Sequence, residues 1–277
     1  MAAAVICAYA DRMATFTSGG LSLAYDDIRP AEGANGTVLM VHGFATSRAE
    51  NWRRLGWYGA FERKNYRIVA LDLRGHGESE KPHDPAAYGQ DNLVGDIVGL
   101  MDHLELGRVD LLGYSMGARL SLQTAMNHPD RVANLIVGGI GDRMLKPPPA
   151  EAPKMTMAQA MRADDPETIT EKTMKGFRLF ADGQGEDRLA LAAFTEGRGG
   201  SALTADDLFG VRVPTLVVAG SRDEMAGDPQ GLADAIPGAK SVTLPACDHF
   251  TAIPHALFKA AVFDFLDGWL DEPGSSF

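Results

Sequence analysis

The stretch Val109-Asp110-Leu111-Leu112-Gly113-Tyr114-Ser115-Met116-Gly117-Ala118 decides how this chain is read. Its apolar first half has the make-up of a buried strand, Gly-x-Ser-x-Gly breaks that strand, and residues 118–126 have the pattern of a helix. A serine on so sharp a strand-to-helix turn has its hydroxyl pushed out of the sheet. Glycines at 113 and 117 suit the turn, because a Cβ at either place would crowd the neighbouring strand or helix. The turn also aims the first amide N–H groups of the new helix at whatever sits over Ser115, where a developing oxyanion needs donors. An ordinary turn serine is the plainer alternative, and the strand-turn-helix context favours a nucleophile over it.

Outward from this turn, strand and helix patterns alternate. Residues 21–25 alternate in polarity and are expected near a sheet edge. Residues 37–41 are continuously apolar, as in a central parallel strand covered on both faces, and end at His42-Gly43-Phe44. A helix is expected over 50–64, a strand over 66–71 closed by the turn 72–79, and an amphipathic helix over 91–106. Further strands are expected over 132–137, ending in Gly138-Gly139-Ile140-Gly141, over 214–219 and over 240–244. A final helix carries Phe258, Ala261, Val262, Phe265, Leu266 and Trp269 on one stripe. Such alternation predicts an α/β fold, a mostly parallel central sheet with helices on both faces.

One span departs from the rhythm. Residues 142–208 open with Pro147-Pro148-Pro149, a stiff hinge, and continue as short helices without a strand candidate. Met155, Met157, Met161, Met174, Phe177, Phe180 and Phe194 are scattered through it, most of them expected in its own core. An insertion leaving the carboxyl end of a strand lies over the place where such sheets bind ligands, so the span is expected to be a cap. The resulting division is an N-terminal tail at 1–14, a core at 15–141 and 209–277, and a helical cap at 142–208.

Composition narrows the partners. The 277 residues carry a formal charge of -11 with no basic run, which argues against nucleic acid or an anionic membrane and for a small-molecule substrate. Only two cysteines, Cys7 and Cys247, are present, so a reducing, cytoplasmic setting is expected without a disulfide framework. Neither has metal-ligand spacing to another Cys or His, and no metal or cofactor is expected. The start lacks the basic region of a signal peptide, and no apolar run reaches transmembrane length.

Taken in order, these segments resemble the α/β-hydrolase superfamily in its capped, cofactor-free esterase and C–C hydrolase branch, over residues from about 15 to 270. His42-Gly43-Phe44 looks like its oxyanion loop, Asp72 to Ser79 like its strand-end turn, and Gly113 to Gly117 like its nucleophile elbow. Gly220-Ser221-Arg222-Asp223 looks like its acid-bearing loop and Asp248-His249-Phe250 like its histidine loop. The resemblance implies Ser115 as nucleophile and His249 as base, in the order Ser, Asp, His. Asp223 is the favoured acid, with Asp142 a rival after the preceding strand and Glu224 and Asp228 weaker candidates. The backbone N–H groups of Phe44 and Met116 would form the oxyanion hole. Arg119, four residues past Ser115, is expected in a structural ion pair rather than on a substrate carboxylate. The other histidines read as structural, with His42 shaping its loop.

The expected activity is hydrolysis of a carboxylic ester, or a similar acyl compound, of a small and largely apolar substrate through an acyl-enzyme. Alternatives are C–C bond hydrolysis of a diketone, perhydrolysis or acyl transfer by the same three residues, and, in another class, a ligand receptor without useful turnover. Dehalogenase and epoxide hydrolase chemistry is disfavoured, because by family analogy those enzymes present aspartate where this elbow presents serine.

Overall fold

Strands β1 (Ala14–Ser18), β2 (Leu21–Ile28), β3 (Thr37–Val41), β4 (Arg67–Leu71), β5 (Val109–Tyr114), β6 (Val132–Gly138), β7 (Thr215–Gly220) and β8 (Lys240–Leu244) join in one sheet. Their order is β1-β2-β4-β3-β5-β6-β7-β8. The computed structural model describes residues 14–146, 155–198 and 203–271. From β4 to β8 neighbouring strands are parallel, while β2 runs antiparallel to β4 and β1 antiparallel to β2. The edge therefore lies one strand further out than 21–25, and β2 buries Leu23, Ala24 and Tyr25. Gly19 and Gly20 join β1 to β2, both at positive φ (57° and 84°). A two-residue Gly-Gly loop of this kind matches the twist of paired strands, and it is the sequence signal that marks the extra strand. Most of the expected tail, residues 1–13, and the proline hinge lie outside the described residues.

Helices α1 (Trp57–Arg63), α2 (Gln90–His103), α3 (Met116–Asn127), α4 (Met157–Arg162), α5 (Lys172–Gln184), α6 (Arg188–Gly197), α7 (Ala205–Leu208), α8 (Pro229–Ala233) and α9 (Ala256–Leu266) complete the architecture. The single helix expected over 50–64 is broken. A π-helical turn, Ala49–Arg53, precedes α1, and Gly56 at φ 76° separates them. Left-handed backbone ends one helix and starts the next, which pattern counting over mixed apolar spacing does not reveal.

Alternation along the central strands feeds two cores. Leu39, Val41 and Leu111 point to a layer with Leu93, Ile97, Leu100 and Leu122. Val38, Met40, Leu112 and Tyr114 point to the opposite layer with Trp52, Trp57, Phe61 and Phe258. Successive strand side chains face opposite ways, so each central strand must be apolar throughout to cover both sides. Between β6 and β7 the described residues form only helical segments, and a small core of Ala158, Met161, Phe177, Ala181, Leu191 and Ala192 holds α4, α5 and α6 together with Ala45 of the main body. Phe194 instead packs into the main core.

One buried ion pair joins the turn after β4 to α2. Arg74 Nε and Nη2 donate to the two oxygens of Asp96, each at 2.6 Å, and Arg74 Nη1 donates to the Ala87 carbonyl at 2.6 Å. Asp96 is fully buried and Arg74 nearly so. Removing one member of such a pair leaves the other charge stranded. Asp96→Ala is expected to destabilise the protein by about 3–5 kcal/mol, read as a fall in the denaturant midpoint at unchanged slope.

Candidate active site

Ser115 sits between β5 and α3 with φ 52° and ψ -110°, a conformation a side chain adopts only under constraint. A Cβ on Gly113 would overlap the Gly117 carbonyl and Ser121 Oγ, and one on Gly117 would run into the Val41 and His42 carbonyls. With hydrogen there instead, α3 packs directly on β5 and β3. Ser115 N donates to Gly138 O at 2.8 Å, extending the ladder to β6, and its carbonyl accepts from Arg119 N at 3.1 Å. Strain of this kind costs about 1–3 kcal/mol and persists where surrounding structure over-determines it.

Three side chains from distant parts of the sequence meet here. His249, in the turn after β8, stands with Nε2 2.9 Å from Ser115 Oγ and Nδ1 2.7 Å from Asp223 Oδ2. An ionised carboxylate only accepts, so Nδ1 carries the proton and Nε2 is left to accept from the serine hydroxyl. Asp223 is buried, and its other oxygen accepts from Ala226 N at 2.9 Å and Met225 N at 3.1 Å. The Tyr114 hydroxyl donates to the His249 carbonyl at 2.6 Å, fixing the histidine turn to the strand that carries Ser115. Asp248 caps that turn through Phe250 N and Thr251 N. Asp142 is engaged elsewhere: it accepts from Asp228 N at 2.9 Å and pairs with Lys146 at 2.7 Å. Asp228 accepts from Gln230 N at the start of α8, so neither of these two carboxylates joins the relay.

The loop after β3 borders the same point. Gly43 stands close enough to Ser115 that a Cβ on it would lie 3.8 Å from the serine Cβ, and the left-handed residue is the next but one, Ala45 (φ 58°). Gly43 N donates to Asn51 Oδ1 at 3.2 Å, and His42 Nδ1 donates to Gly43 O at 2.7 Å. His42 Nε2 accepts from Leu73 N at 3.0 Å, a role open only to the neutral ring, and burial pushes its pKa down to about 4. Gly43 is thus held at both its N–H and its carbonyl. Among the described residues neither Phe44 N nor Met116 N has an acceptor, which leaves both free for a ligand oxygen. His76, read from sequence as a turn histidine, is fully buried between His42, Phe44 and Phe194, and burial lowers its pKa to about 3.

Two cavities reach Ser115 and His249. The larger, about 810 Å³, is bordered by the ends of β6 and β7 and by α4 to α6, and the smaller, about 320 Å³, by the β3 loop and Phe250. Arg119 and Arg198 both line the larger one. Both side chains keep substantial solvent exposure, and partial desolvation inside the cavity lowers the pKa of each, with the nearby Arg119 charge adding to that effect at Arg198. Neither has a carboxylate partner among the described residues, and the one carboxylate lining this cavity, Glu196, is taken by Arg162. The expected structural ion pair at Arg119 is therefore not formed with any described residue. Arg198 escaped the sequence reading altogether, since nothing beside it at the end of α6 signals that it faces Arg119. Among the described residues no cluster of three or more His, Cys, Asp or Glu could hold a metal ion, and no helix is long and apolar enough to cross a membrane.

Comparison with known proteins agrees with this architecture. Residues 36–196 match the alpha/beta hydrolase fold family, and the chain belongs to that family. It is 38% identical over 109 residues to 2-hydroxymuconate semialdehyde hydrolase of Pseudomonas sp. (strain CF600), covering 39% of this chain and 37% of the relative. Such curated relatives are spanned only in part, 36% and 41% of their length in two further cases. Among solved structures, a hydrolase from Pseudomonas aeruginosa superposes with TM-score 0.74 at 25% identity, over 93% of this chain and 99% of that one. The enol-lactonase from Burkholderia xenovorans LB400 superposes with TM-score 0.69, also at 25% identity, over 92% and 100%.

The insertion is tied to the turn after β4 by Glu186, whose two carboxylate oxygens accept from Gly77 N at 3.2 and 3.1 Å. Beside it, Asp187 meets His83 at 2.9 Å. Burial pushes the Glu186 pKa up to about 7, helped by the charges of Asp72 and Asp187 and opposed by the Gly77 N–H and Lys81. The folded state therefore favours the protonated acid. Its stabilising share is fully present below the ordinary glutamate range and is lost as pH rises through about 7. Glu186→Gln, which keeps the acceptor and cannot ionise, is expected to lose less stability than the wild type between pH 5 and pH 8, read as Tm against pH.

Proposed function

We propose that this chain is a serine hydrolase that cleaves a small acyl compound through an acyl-enzyme on Ser115, with residues 142–208 as its cap. The observation that carries the reading is the hydrogen-bonded series Asp223, His249, Ser115, lying beside two amide N–H groups without an acceptor among the described residues. A serine hydroxyl is a weak nucleophile at neutral pH, and an adjacent imidazole acceptor removes that weakness. In this reading Ser115 Oγ attacks the substrate carbonyl as His249 Nε2 takes its proton. The oxyanion forms against Phe44 N–H and Met116 N–H, where pre-aimed dipoles stabilise charge without reorganising. His249 then returns the proton to the leaving oxygen. Water, deprotonated by the same imidazole, attacks the acyl-enzyme and releases the acid. Asp223 holds the ring in the required tautomer and balances the imidazolium.

A second reading, C–C bond hydrolysis of a diketone acid, is favoured by one observation: the guanidiniums of Arg119 and Arg198 in the larger cavity. Both are solvent-exposed and have no carboxylate partner among the described residues, so both are open to an anionic ligand group. In either chemistry they suit a substrate that carries a carboxylate or dienolate beside an apolar part. A curated relative named for hydrolysis of a semialdehyde and a structural relative named as an enol-lactonase are both compatible with such a group.

Ser115→Ala is expected to fold normally and to lose burst acylation with p-nitrophenyl acetate; turnover equal to wild type would refute the mechanism. Asp223→Asn should lower kcat by about 10³–10⁴, whereas Asp142→Asn should leave it within a few-fold. Turnover of a 2-hydroxy-6-oxodienoate at a kcat/KM far above that of any carboxylic ester would select the second reading.

A further inference from the structure

Of the twelve methionines in the sequence, Met116, Met144, Met157, Met174 and Met225 all line the larger cavity. They converge on it from separate segments. Met116 opens α3, Met144 lies in the helical turn after β6, Met157 opens α4, Met174 stands in the first turn of α5, and Met225 belongs to the loop between β7 and α8. Among the described residues no leucine or valine lines this cavity. Met161, one helical turn beyond Met157, shows the ordinary use of the residue, for it is fully buried and fills the insertion's small core. Met116 and Met144 are likewise held, each 5% exposed within the main core. The other three keep room to move: Met157 packs on the insertion's core from outside, half-buried like Met174, and Met225 is 40% exposed.

A methionine side chain is unbranched, rotates about three bonds and carries a polarisable thioether, so one residue can present several surfaces of nearly equal energy. A hydrophobic pocket of ordinary stiffness separates substrates that differ by one methylene by about 10–200-fold. Surfaces rich in methionine instead repack around different ligands. We infer that Met157, Met174 and Met225 are specificity-determining residues of an adaptable pocket, in which linear, cyclic and aromatic groups of one size are accepted with similar efficiency. This assignment rests on the acyl-transfer reading and deepens it, by defining the substrate class through bulk rather than shape. Adaptation of this kind does not reach the relay. The Met225 N–H that donates to Asp223 belongs to the main chain, and its thioether can turn without moving it.

Two ester series test the assignment, each carrying hexyl, cyclohexyl and phenyl groups of equal carbon count. The first varies the acyl side, as p-nitrophenyl heptanoate, cyclohexanecarboxylate and benzoate; the second varies the alcohol side, as the acetates of hexanol, cyclohexanol and phenol. Each kcat/KM is divided by the rate constant of the same ester with hydroxide, which removes intrinsic reactivity. Wild type is compared with Met157→Leu, Met174→Leu, Met225→Leu and the triple variant, a swap of near-equal volume that packed cores tolerate, with melting curves to verify folding. In at least one series the wild type should hold all three groups within about tenfold, and the triple variant should spread them over about 10–200-fold. A wild-type spread beyond tenfold in both series would overturn the inference. So would a triple variant whose spread matches wild type or whose activity falls equally on all three esters. Acyl transfer would survive either result if a fluorophosphonate labels Ser115. Labelling without turnover of any of these esters would also overturn the adaptable pocket. Failure of the label on folded wild type, with neither series turned over, would sink the acyl-enzyme reading and this inference with it.

Discussion

Close approach of α3 to β5 and β3 is the constraint on which the rest of this molecule depends. It is possible only because residues 113 and 117 lack a Cβ. It forces Ser115 to positive φ, and that one backbone distortion does several things at once. It lifts Oγ above the sheet, starts a helix beneath it, and leaves Met116 N–H without a carbonyl to bond among the described residues. Parallel strands do the remainder. Because β3, β5, β6 and β7 run the same way, and β8 with them, the loops carrying Gly43, Ser115, Gly139, Asp223 and His249 all emerge at one edge.

Meeting at an edge does not by itself give hydrogen-bond geometry, and here polar contacts below the site supply the rigidity. The β3 loop is clasped to the turn after β4 at both of its ends. His42 Nε2 accepts from Leu73 N at one end, and Arg48 N donates to Asp72 Oδ1 at 2.7 Å at the other. The Arg48 guanidinium bonds Asp72, Asp26 and Glu78 together, and the Asp26 side chain also receives the Tyr58 hydroxyl at 2.7 Å. Charges buried like these are tolerable only when paired, and the pairing in return allows few alternative arrangements. The histidine turn is held by the Tyr114 hydroxyl in the same spirit. The loop after β3 and the histidine turn, which both border Ser115, are therefore each held by hydrogen bonds to neighbouring elements.

How legible this was in the sequence depended on how local the deciding interaction is. The elbow, the central strands and the final helix were readable because apolar periodicity and two glycines are properties of neighbouring residues. Asp223 and His249 were readable through their order and their loops, although 26 residues separate them. What escaped is what only folding brings together. Edge strand β1 stands next to a Gly-Gly turn that could have betrayed it, yet it is five residues long and only Phe16 is buried. The break at Gly56 depends on a left-handed backbone that no composition rule demands there. Arg119 and Arg198 lie on helices from opposite sides of the insertion boundary, 79 positions apart, so their shared cavity has no trace in either segment's pattern. The burial of His76 likewise depends on Phe194, which the insertion delivers to the main core.

These unread contacts belong mostly to one half of a division of labour. The sheet edge holds the hydrogen-bonded series Asp223, His249, Ser115 and two amides without an acceptor among the described residues, whose positions follow from backbone packing. The insertion supplies Phe177, Arg198 and the floor of the larger cavity, on helices held by a small core of their own and tied to the main body by Glu186 and by Phe194. Side chains of the insertion can therefore be exchanged without disturbing Ser115, provided the insertion's small core keeps its volume. Phe177 is the exception that couples the two halves, since the ring packed in the insertion's core also rests on Phe44 of the loop after β3. A substitution at Phe177 therefore disturbs both the insertion's core and the loop after β3, and leaves them in place only where it keeps the volume of an aromatic ring.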